Sequence, residues 1–534
     1  METFDYIVVG AGSAGCVVAR RLSDNPAARV LLVEAGPPPA GFWQRVPAGM
    51  AKMFSANRFN WGFSTEPDPG LGGRRLFWPR GKTLGGSGAI NGMVFTRGSR
   101  VDYDGWASMG NPGWSWADVL PYFKKLEDNE RGANEYRGAA GPLKISDPAV
   151  KPRIMYDFIE AAVRSGIPAE EDISTAGNEG VGILQATIHR GVRQSTYDAY
   201  LAPVRHRKNL KIMTGAHVLR LQLDDRIATG VELLVGSEKR SVRASVEVVL
   251  CAGALNSPQL LMLSGIGDAD DLRRHGIETR LHLPGVGRNL QDHYSALVKA
   301  ETKPGWSHNP ALMSWHKYVE GAKYVLTKGG LLACGATFAA ALTRSDASMP
   351  FPDLQLGFRP ITFSYAANGS VSIDEMDAIS VSVFICRPKS RGEIRLRSAD
   401  PLDAPMIIPR YLSTQEDMVA MVRGVRIIRK ILKAAPISDR LVCEFLPGDA
   451  AQSDAQLADF IRATGKTSFH VSGTCKMGHD EMAVVDNRLK VRGVERLRVV
   501  DASIMPTVTS GNTNAPAIMI GEKGADMINE DNTI

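Results

Sequence analysis

The run Phe4-Asp5-Tyr6-Ile7-Val8-Val9 leads directly into Gly10-Ala11-Gly12-Ser13-Ala14-Gly15, and a helical pattern continues through Leu22. A short apolar strand, a glycine turn and a helix commit the N-terminus to a Rossmann-type α/β unit. Gly10 permits the turn, Gly12 lets the backbone approach a pyrophosphate, and Gly15 lets helix pack on strand. The helix N-terminus around Ser13 and Ala14 offers free N–H groups and positive potential to phosphates. A second apolar strand, Val30-Leu31-Leu32-Val33, ends at Glu34-Ala35, the spacing at which an acid hydrogen-bonds adenosine ribose hydroxyls. The unit reads as an adenine-dinucleotide site with free ribose hydroxyls and leaves FAD and NAD both open.

The chain has 534 residues, enough for about two to four lobes. With 44% hydrophobic and 22% charged residues it is a folded, water-soluble chain rather than a disordered or polytopic membrane one. The formal charge of +6 is small and spread thinly, so no nucleic-acid partner is expected. Six cysteines lie far apart without a CxxC pair, which predicts reduced, buried thiols and a reducing compartment. No secretory apolar region precedes Phe4, and Gly329 to Leu342 is too short and too interrupted to cross a bilayer. These features predict a cytoplasmic protein with no membrane span. They carry no information on oligomeric state.

Between Trp78 and Arg100, Gly85, Gly86, Gly88 and Gly92 crowd a segment that also carries Leu84, Ile90, Met93, Val94 and Phe95. That composition is too apolar for a surface loop and suits a backbone pressed against a flat buried ligand. Farther on, Cys251-Ala252-Gly253-Ala254-Leu255-Asn256-Ser257-Pro258 follows a strand at Val246 to Leu250. Asn256 or Ser257 before Pro258 predicts a helix start, and Gly265 to Gly267 a stop. These two segments resemble the two signature patterns of the glucose-methanol-choline family of FAD-dependent oxidoreductases, over Gly81 to about Asp104 and Gly253 to Gly267. Gly110 to Trp116, Arg193 to Leu201, Leu283 to His293, Arg391 to Leu412 and Ser468 to the C-terminus also look like the family, so the resemblance spans the chain.

The resemblance is strongest to the alcohol and choline dehydrogenase branch, and it implies FAD rather than diffusible NAD. It implies cofactor contacts from Gly85, Gly86 and Ser87, with Asn91, Gly92, Met93 and Val94 along the isoalloxazine ring. Val218 would meet the adenine through its backbone, and Ala252, Gly253, Asp501, Ala502, Asn512 and Asn514 complete the implied set. Some relatives bind flavin covalently through a histidine just before the signature asparagine. Ile90 stands there and cannot form that bond, so non-covalent FAD is expected. Thr467 to Gly478 places His470 in a Gly/Ser/Thr-rich turn, and Met505-Pro506 leads to Ser510-Gly511-Asn512-Thr513-Asn514-Ala515-Pro516. By resemblance this is a His/Asn site. A neutral imidazole at His470 takes the hydroxyl proton of an alcohol while Asn512 donates to the developing oxyanion. A helix opening at Ala515-Pro516 would point its positive end at the reduced flavin.

The other nine histidines share no ligand spacing, so no metal site is expected, and His293 is assigned a structural place near the cofactor. The SxxK at Ser314 to Lys317 lacks its partner motifs, and no GxSxG elbow occurs. Flavin motifs at both ends predict an FAD domain assembled from residues 1–154, 192–301 and 460–534. An α+β substrate domain on an antiparallel sheet fills 155–191 and 302–459, with strands at Ile379 to Ile385 and Glu393 to Arg397 and a helix at Glu416 to Lys433. Trp306, Trp315, Phe338, Phe351, Phe358, Phe363, Tyr365 and Phe384 are the aromatic candidates for its pocket or core. The expected substrate is a small-molecule primary alcohol, aromatic or medium-chain aliphatic, with oxygen or a quinone- or dye-like acceptor. Choline is the alternative, for which Glu301 would face the ammonium, and a fatty acid photodecarboxylase is a second on the same fold.

Overall fold

The computed structural model describes residues 2–174, 177–313, 315–366 and 370–532. Ser314 and the side chain of Tyr365 lie outside the described residues. Seven strands form the nucleotide sheet, in the order Leu210–Thr214, Val30–Glu34, Glu2–Val9, Glu238–Leu250, Ile227–Val235, Ala216–Asp224, with Leu497–Val499 paired beside Glu238–Leu250. The first four of these pair in parallel, and the meander from Ala216 to Leu250 is antiparallel. Val30–Glu34 is buried at all five positions because the sheet is covered on both faces, as its unbroken apolar run requires. The helices Gly15–Leu22 and Asn514–Asp531 pack together across the two ends of the chain. Their contact is fixed by Arg21, whose Nε and Nη2 donate to the fully buried Glu522 at 2.8 and 2.7 Å, with Tyr200 donating to the same carboxylate at 2.8 Å.

A second seven-stranded sheet is antiparallel throughout, in the order Leu441–Leu446, Tyr294–Thr302, Ala378–Ile385, Leu354–Arg359, Ala339–Thr343, Gly180–Ile183, with Lys466–Thr467 beside Tyr294 and Ser295. Ala378–Ile385 is buried at all eight positions rather than at alternate ones. The helix Gln415–Leu432 seals one face, where a Cβ on Gly424 would fall 2.6 Å from Val383, and the other face roofs a cavity. Two expectations are corrected here. Tyr294–Thr302 and Lys466–Thr467 belong to this sheet and not to the nucleotide lobe, because their register runs against Ala378–Phe384 and against each other. Among the described residues, Glu393–Arg395 pairs with Met406–Ile408 in a separate two-stranded ribbon.

The helix after the Val246 to Leu250 strand starts at Gly253, earlier than the Pro258 signal suggests. Asp501 explains the early start. Its Oδ2 accepts from the Gly253 N–H at 2.8 Å and the Ser257 hydroxyl at 2.6 Å, so a residue 248 positions away caps the helix. Pro258 then sits inside the helix and cannot donate to the carbonyl of Ala254. The buried Thr474 hydroxyl donates there instead, at 2.7 Å. Thr474→Val leaves that carbonyl unsatisfied and is expected to cost about 1–3 kcal/mol, whereas Thr474→Ser retains the bond. Thermal unfolding of both variants checks this, and equal midpoints would contradict it.

Candidate active site

A cavity of about 850 Å³ runs between the two sheets. Glu34, Ala35 and Val218 line one end of it, and Gly10, Gly12, Ser13, Ala14, Gly86 and Ser87 the waist. Ala252, Gly253, Asp501 and Ala502 continue the wall toward Asn91, Gly92, Met93, Val94, Asn512, Asn514 and His470. Of the residues expected at the cofactor, Gly15 and Gly85 alone are not in the wall. Gly15 acts from behind, since a Cβ there would lie 1.9 Å from the carbonyl oxygen of Gly10. At the waist, Gly86 holds φ +53° and a Cβ on it would lie 2.6 Å from Gly12 Cα, so two backbones close on each other as a dinucleotide cradle needs.

Glu34 accepts the N–H groups of Ala11 at 3.0 Å and Gly36 at 2.8 Å, while burial pushes its carboxyl up to about 7 against the pull of these amides. The donor and acceptor set of this end fits an adenosine ribose. Ser13 Oγ donates to Asn514 Oδ1 at 2.7 Å and ties the first turn of the chain to its last helix. On the opposite wall the buried Arg193 donates to the carbonyl and side-chain oxygens of Asn91 at 2.6 and 2.9 Å. Asn91 Oδ1 in turn accepts from the Met93 N–H at 3.0 Å, holding Met93 at φ +62°. Ile90, buried near Met53 and Phe59, presents only hydrocarbon to the cavity.

His470 is aimed from three sides. Asp292 accepts its backbone N–H at 2.6 Å and the Thr467 hydroxyl at 2.5 Å, and is also bonded by the Tyr411 hydroxyl. Phe469 holds φ +65°, its N–H donated to Thr467 Oγ1 at 2.8 Å and its carbonyl accepting from Arg80 at 2.7 Å. The ring itself lies between His293 and Asn512. His293 Nε2 is 2.9 Å from the carbonyl of Cys386, His293 Nδ1 is 2.8 Å from His470 Nδ1, and His470 Nε2 is 2.8 Å from Asn512 Nδ2. A carbonyl only accepts, so His293 carries its proton on Nε2 and its Nδ1 is an acceptor. His470 must then donate from Nδ1, which leaves the Nε2 lone pair facing the cavity and accepting from the Asn512 amide.

Both rings are kept neutral. Burial lowers His293 to about 4 and His470 well below the ordinary imidazole value, with His293 and Arg80 opposing further positive charge on His470. Asn512 is fixed by its backbone N–H to Thr96 Oγ1 at 2.8 Å, and Phe384 stacks on His293 at 4.6 Å while meeting His470 edge-on at 5.7 Å. His293, expected in a structural place near the cofactor, is a direct hydrogen-bond partner of His470. Arg193, Asp292, Arg80 and Thr96 were not singled out by sequence.

Of the aromatic candidates, Phe363 and Phe384 line the cavity, Phe338 and Phe358 are core, and Trp315 and Phe351 are exposed. Glu301 does not line it and accepts instead from the thiol of Cys443 at 3.7 Å. The cysteines are free, with Cys443 exposed and the other five buried. Among the described residues no group of three His, Cys, Asp or Glu could hold a metal ion, and no helix is long and apolar enough to cross a membrane.

Two family models, both described as GMC oxidoreductase, match residues 4–295 and 388–521. The chain is 42% identical over 537 residues to the mitochondrial choline dehydrogenase of Mus musculus, covering 99% of this chain and 89% of that protein. It is 40% identical to the oxygen-dependent choline dehydrogenase of Brucella anthropi, covering 98% and 95%. Among solved structures, pyridoxine 4-oxidase from Mesorbium loti superposes with a TM-score of 0.88 at 33% identity, covering 98% of each chain. With these matches along its length, and with a dinucleotide cradle that ends at the His470–Asn512 pair, the chain belongs to the GMC oxidoreductase family, FAD-dependent enzymes acting on CH–OH donors.

Proposed function

We propose that the protein oxidises a primary alcohol to an aldehyde, with His470 as the base and Asn512 as the oxygen ligand. The observation that carries this reading is the neutral Nε2 of His470, 2.8 Å from the Asn512 amide at the wall shared with Asn91 to Val94. An alcohol oxygen that replaces this direct hydrogen bond, seated beside both groups, donates its proton to Nε2 and accepts from Asn512 Nδ2. As the O–H bond breaks toward His470, alkoxide character grows, Asn512 stabilises it, and the adjacent C–H bond releases its hydrogen with the electron pair. FAD, when bound, supplies the hydride acceptor at flavin N5. The carbon keeps one hydrogen and becomes the aldehyde, and the Nδ1 contact to His293 lets the ring hold the second proton without reorienting. A primary carbon is favoured because one of its hydrogens must point at the flavin while its oxygen reaches His470 and Asn512, an alignment that a small second substituent obstructs least.

Choline is the second reading, favoured by the two choline dehydrogenases at 40–42% identity. Against it, the strand expected to present Glu301 turns Ser295, Leu297 and Lys299 to the cavity, and none of these attracts a quaternary ammonium. Ile90 supports a non-covalent flavin, and Glu34 supports ribose recognition. The division of acceptors between oxygen and a quinone- or dye-like oxidant is read by peroxide formation in air against dye reduction.

His470→Ala is expected to retain FAD and slow anaerobic flavin reduction by an alcohol about 10²- to 10⁴-fold. Asn512→Ala is expected to slow it too and to raise KM, since the amide holds the oxygen before and during reaction. Wild-type rates in both would overturn the assignment. Acid denaturation is expected to release all FAD with no peptide attached, and yellow polypeptide after precipitation would contradict this. Glu34→Gln replaces one of the two carboxyl oxygens by an amide donor and is expected to weaken FAD binding by about tenfold or more, measured by titration of apoprotein.

A further inference from the structure

The wall opposite the nucleotide sheet is made by adjacent antiparallel strands whose cavity-facing residues form rows. Ser295, Leu297 and Lys299 lie on one strand and Gln355, Gly357 and Arg359 on another, with Ala378–Ile385 pairing both. Ser295 and Gln355 stand opposite Phe384, beside His470. Lys299 and Arg359 stand opposite Ser380, four residues along each strand, or about 13 Å farther from the imidazole at the usual strand rise. Lys466, which pairs with Ser295, and Arg74 line the same side.

The charges are one-sided. Among the described residues that line the cavity, Glu34 and Asp501 alone are acidic. Both are engaged at the nucleotide side, Glu34 with the Ala11 and Gly36 amides and Asp501 with Gly253 and Ser257. Asp374 bonds Lys299 at 2.6 Å and offsets one cation, and the sequence from Tyr365 to Ile373 brings no other acid. Lys466 is lowered to about 8, first by burial and then by Lys299 and Arg74, so the cations already oppose one another. Leu297, between Ser295 and Lys299 on the same strand face, and Phe363, whose carbonyl accepts from Lys299 Nζ at 3.1 Å, offer apolar surface.

We infer that the alcohol substrate carries an anionic oxyacid group, a carboxylate or a phosphate, at the end away from its hydroxyl-bearing carbon, and that Lys299 and Arg359 receive it, with Lys466 adding positive charge from its strand position beside Ser295. This deepens the alcohol-oxidation reading and rests on it. An apolar chain or ring would span Leu297 and Phe363 while the anion meets the cations, whose attraction is strengthened by the low polarity of a closed cavity. The same wall opposes a quaternary ammonium.

Holoenzyme is mixed anaerobically with matched alcohols while flavin bleaching is followed. The pairs are hydroxyoctanoate against octanol and hydroxymethylbenzoate against benzyl alcohol, with octanediol monophosphate to separate phosphate from carboxylate and choline as the cationic arm. The expected second-order rate for the anionic member is at least about tenfold above its neutral partner, and added salt narrows that ratio. Arg359→Gln and Lys466→Gln, checked for FAD content, are expected to bring the ratio within about threefold. Equal or faster reduction by the neutral members, or preference for choline, overturns the inference and leaves alcohol oxidation standing. If no alcohol of any charge bleaches the flavin, the oxidation reading fails and this inference with it.

Discussion

A single hydrogen bond between two buried imidazoles sets the chemistry of the site: His470 Nδ1 to His293 Nδ1, at 2.8 Å. Two ring nitrogens can share one proton in either direction, and the Cys386 carbonyl removes that freedom by claiming the Nε2 proton of His293. The consequence passes along the row to the Nε2 of His470. Cys386 directly follows Ala378–Ile385 and His293 directly precedes Tyr294–Thr302, so the second sheet fixes the tautomer of a residue that faces the cofactor lobe. This is also why the boundary between lobes cannot be drawn cleanly near residue 301: the strand that enters the second sheet begins one residue after His293.

Burial decides the protonation state. An isolated imidazolium in this pocket would lose its hydration with no carboxylate beside the ring, because Asp292 spends its oxygens on the His470 N–H, Thr467 and Tyr411. Arg80 and Arg387 add positive potential near the two rings. The same shortage of acids continues outward along the wall. Positive potential there favours alkoxide over alcohol and an anionic substrate tail over a cationic one, so the inner and outer parts of the cavity act in the same direction.

Much of the nucleotide half was legible in the sequence because it is local. Strand, turn and helix from Phe4 to Leu22 and the acid at Glu34 are contiguous patterns, and the structure places them as expected. His470 and Asn512 were legible by resemblance, 42 residues apart, and the structure brings them into contact. What escaped was long-range. His293 lies 177 residues from His470, and nothing in its own neighbourhood shows which ring it meets. The helix start at Gly253 was hidden because its cap, Asp501, and the donor replacing Pro258, Thr474, both come from the C-terminal segment. Ile379 to Ile385 alternates in sequence, yet Ala378–Ile385 is buried at every position because both of its faces are covered.

The central claim, a neutral His470 with its lone pair directed at the substrate, is tested most directly by the pH dependence of anaerobic flavin reduction. The base works when unprotonated, so activity is lost as pH falls through its pKa, and burial has moved that pKa down from the ordinary 6.5. Stopped-flow reduction by a saturating alcohol, chosen so that it does not itself titrate in this range, should hold a plateau from alkaline pH to below 6.5 and decline only in more acidic solution. A decline centred at or above 6.5 would show that the ring is not held neutral by its burial and its His293 contact, and would contradict the account.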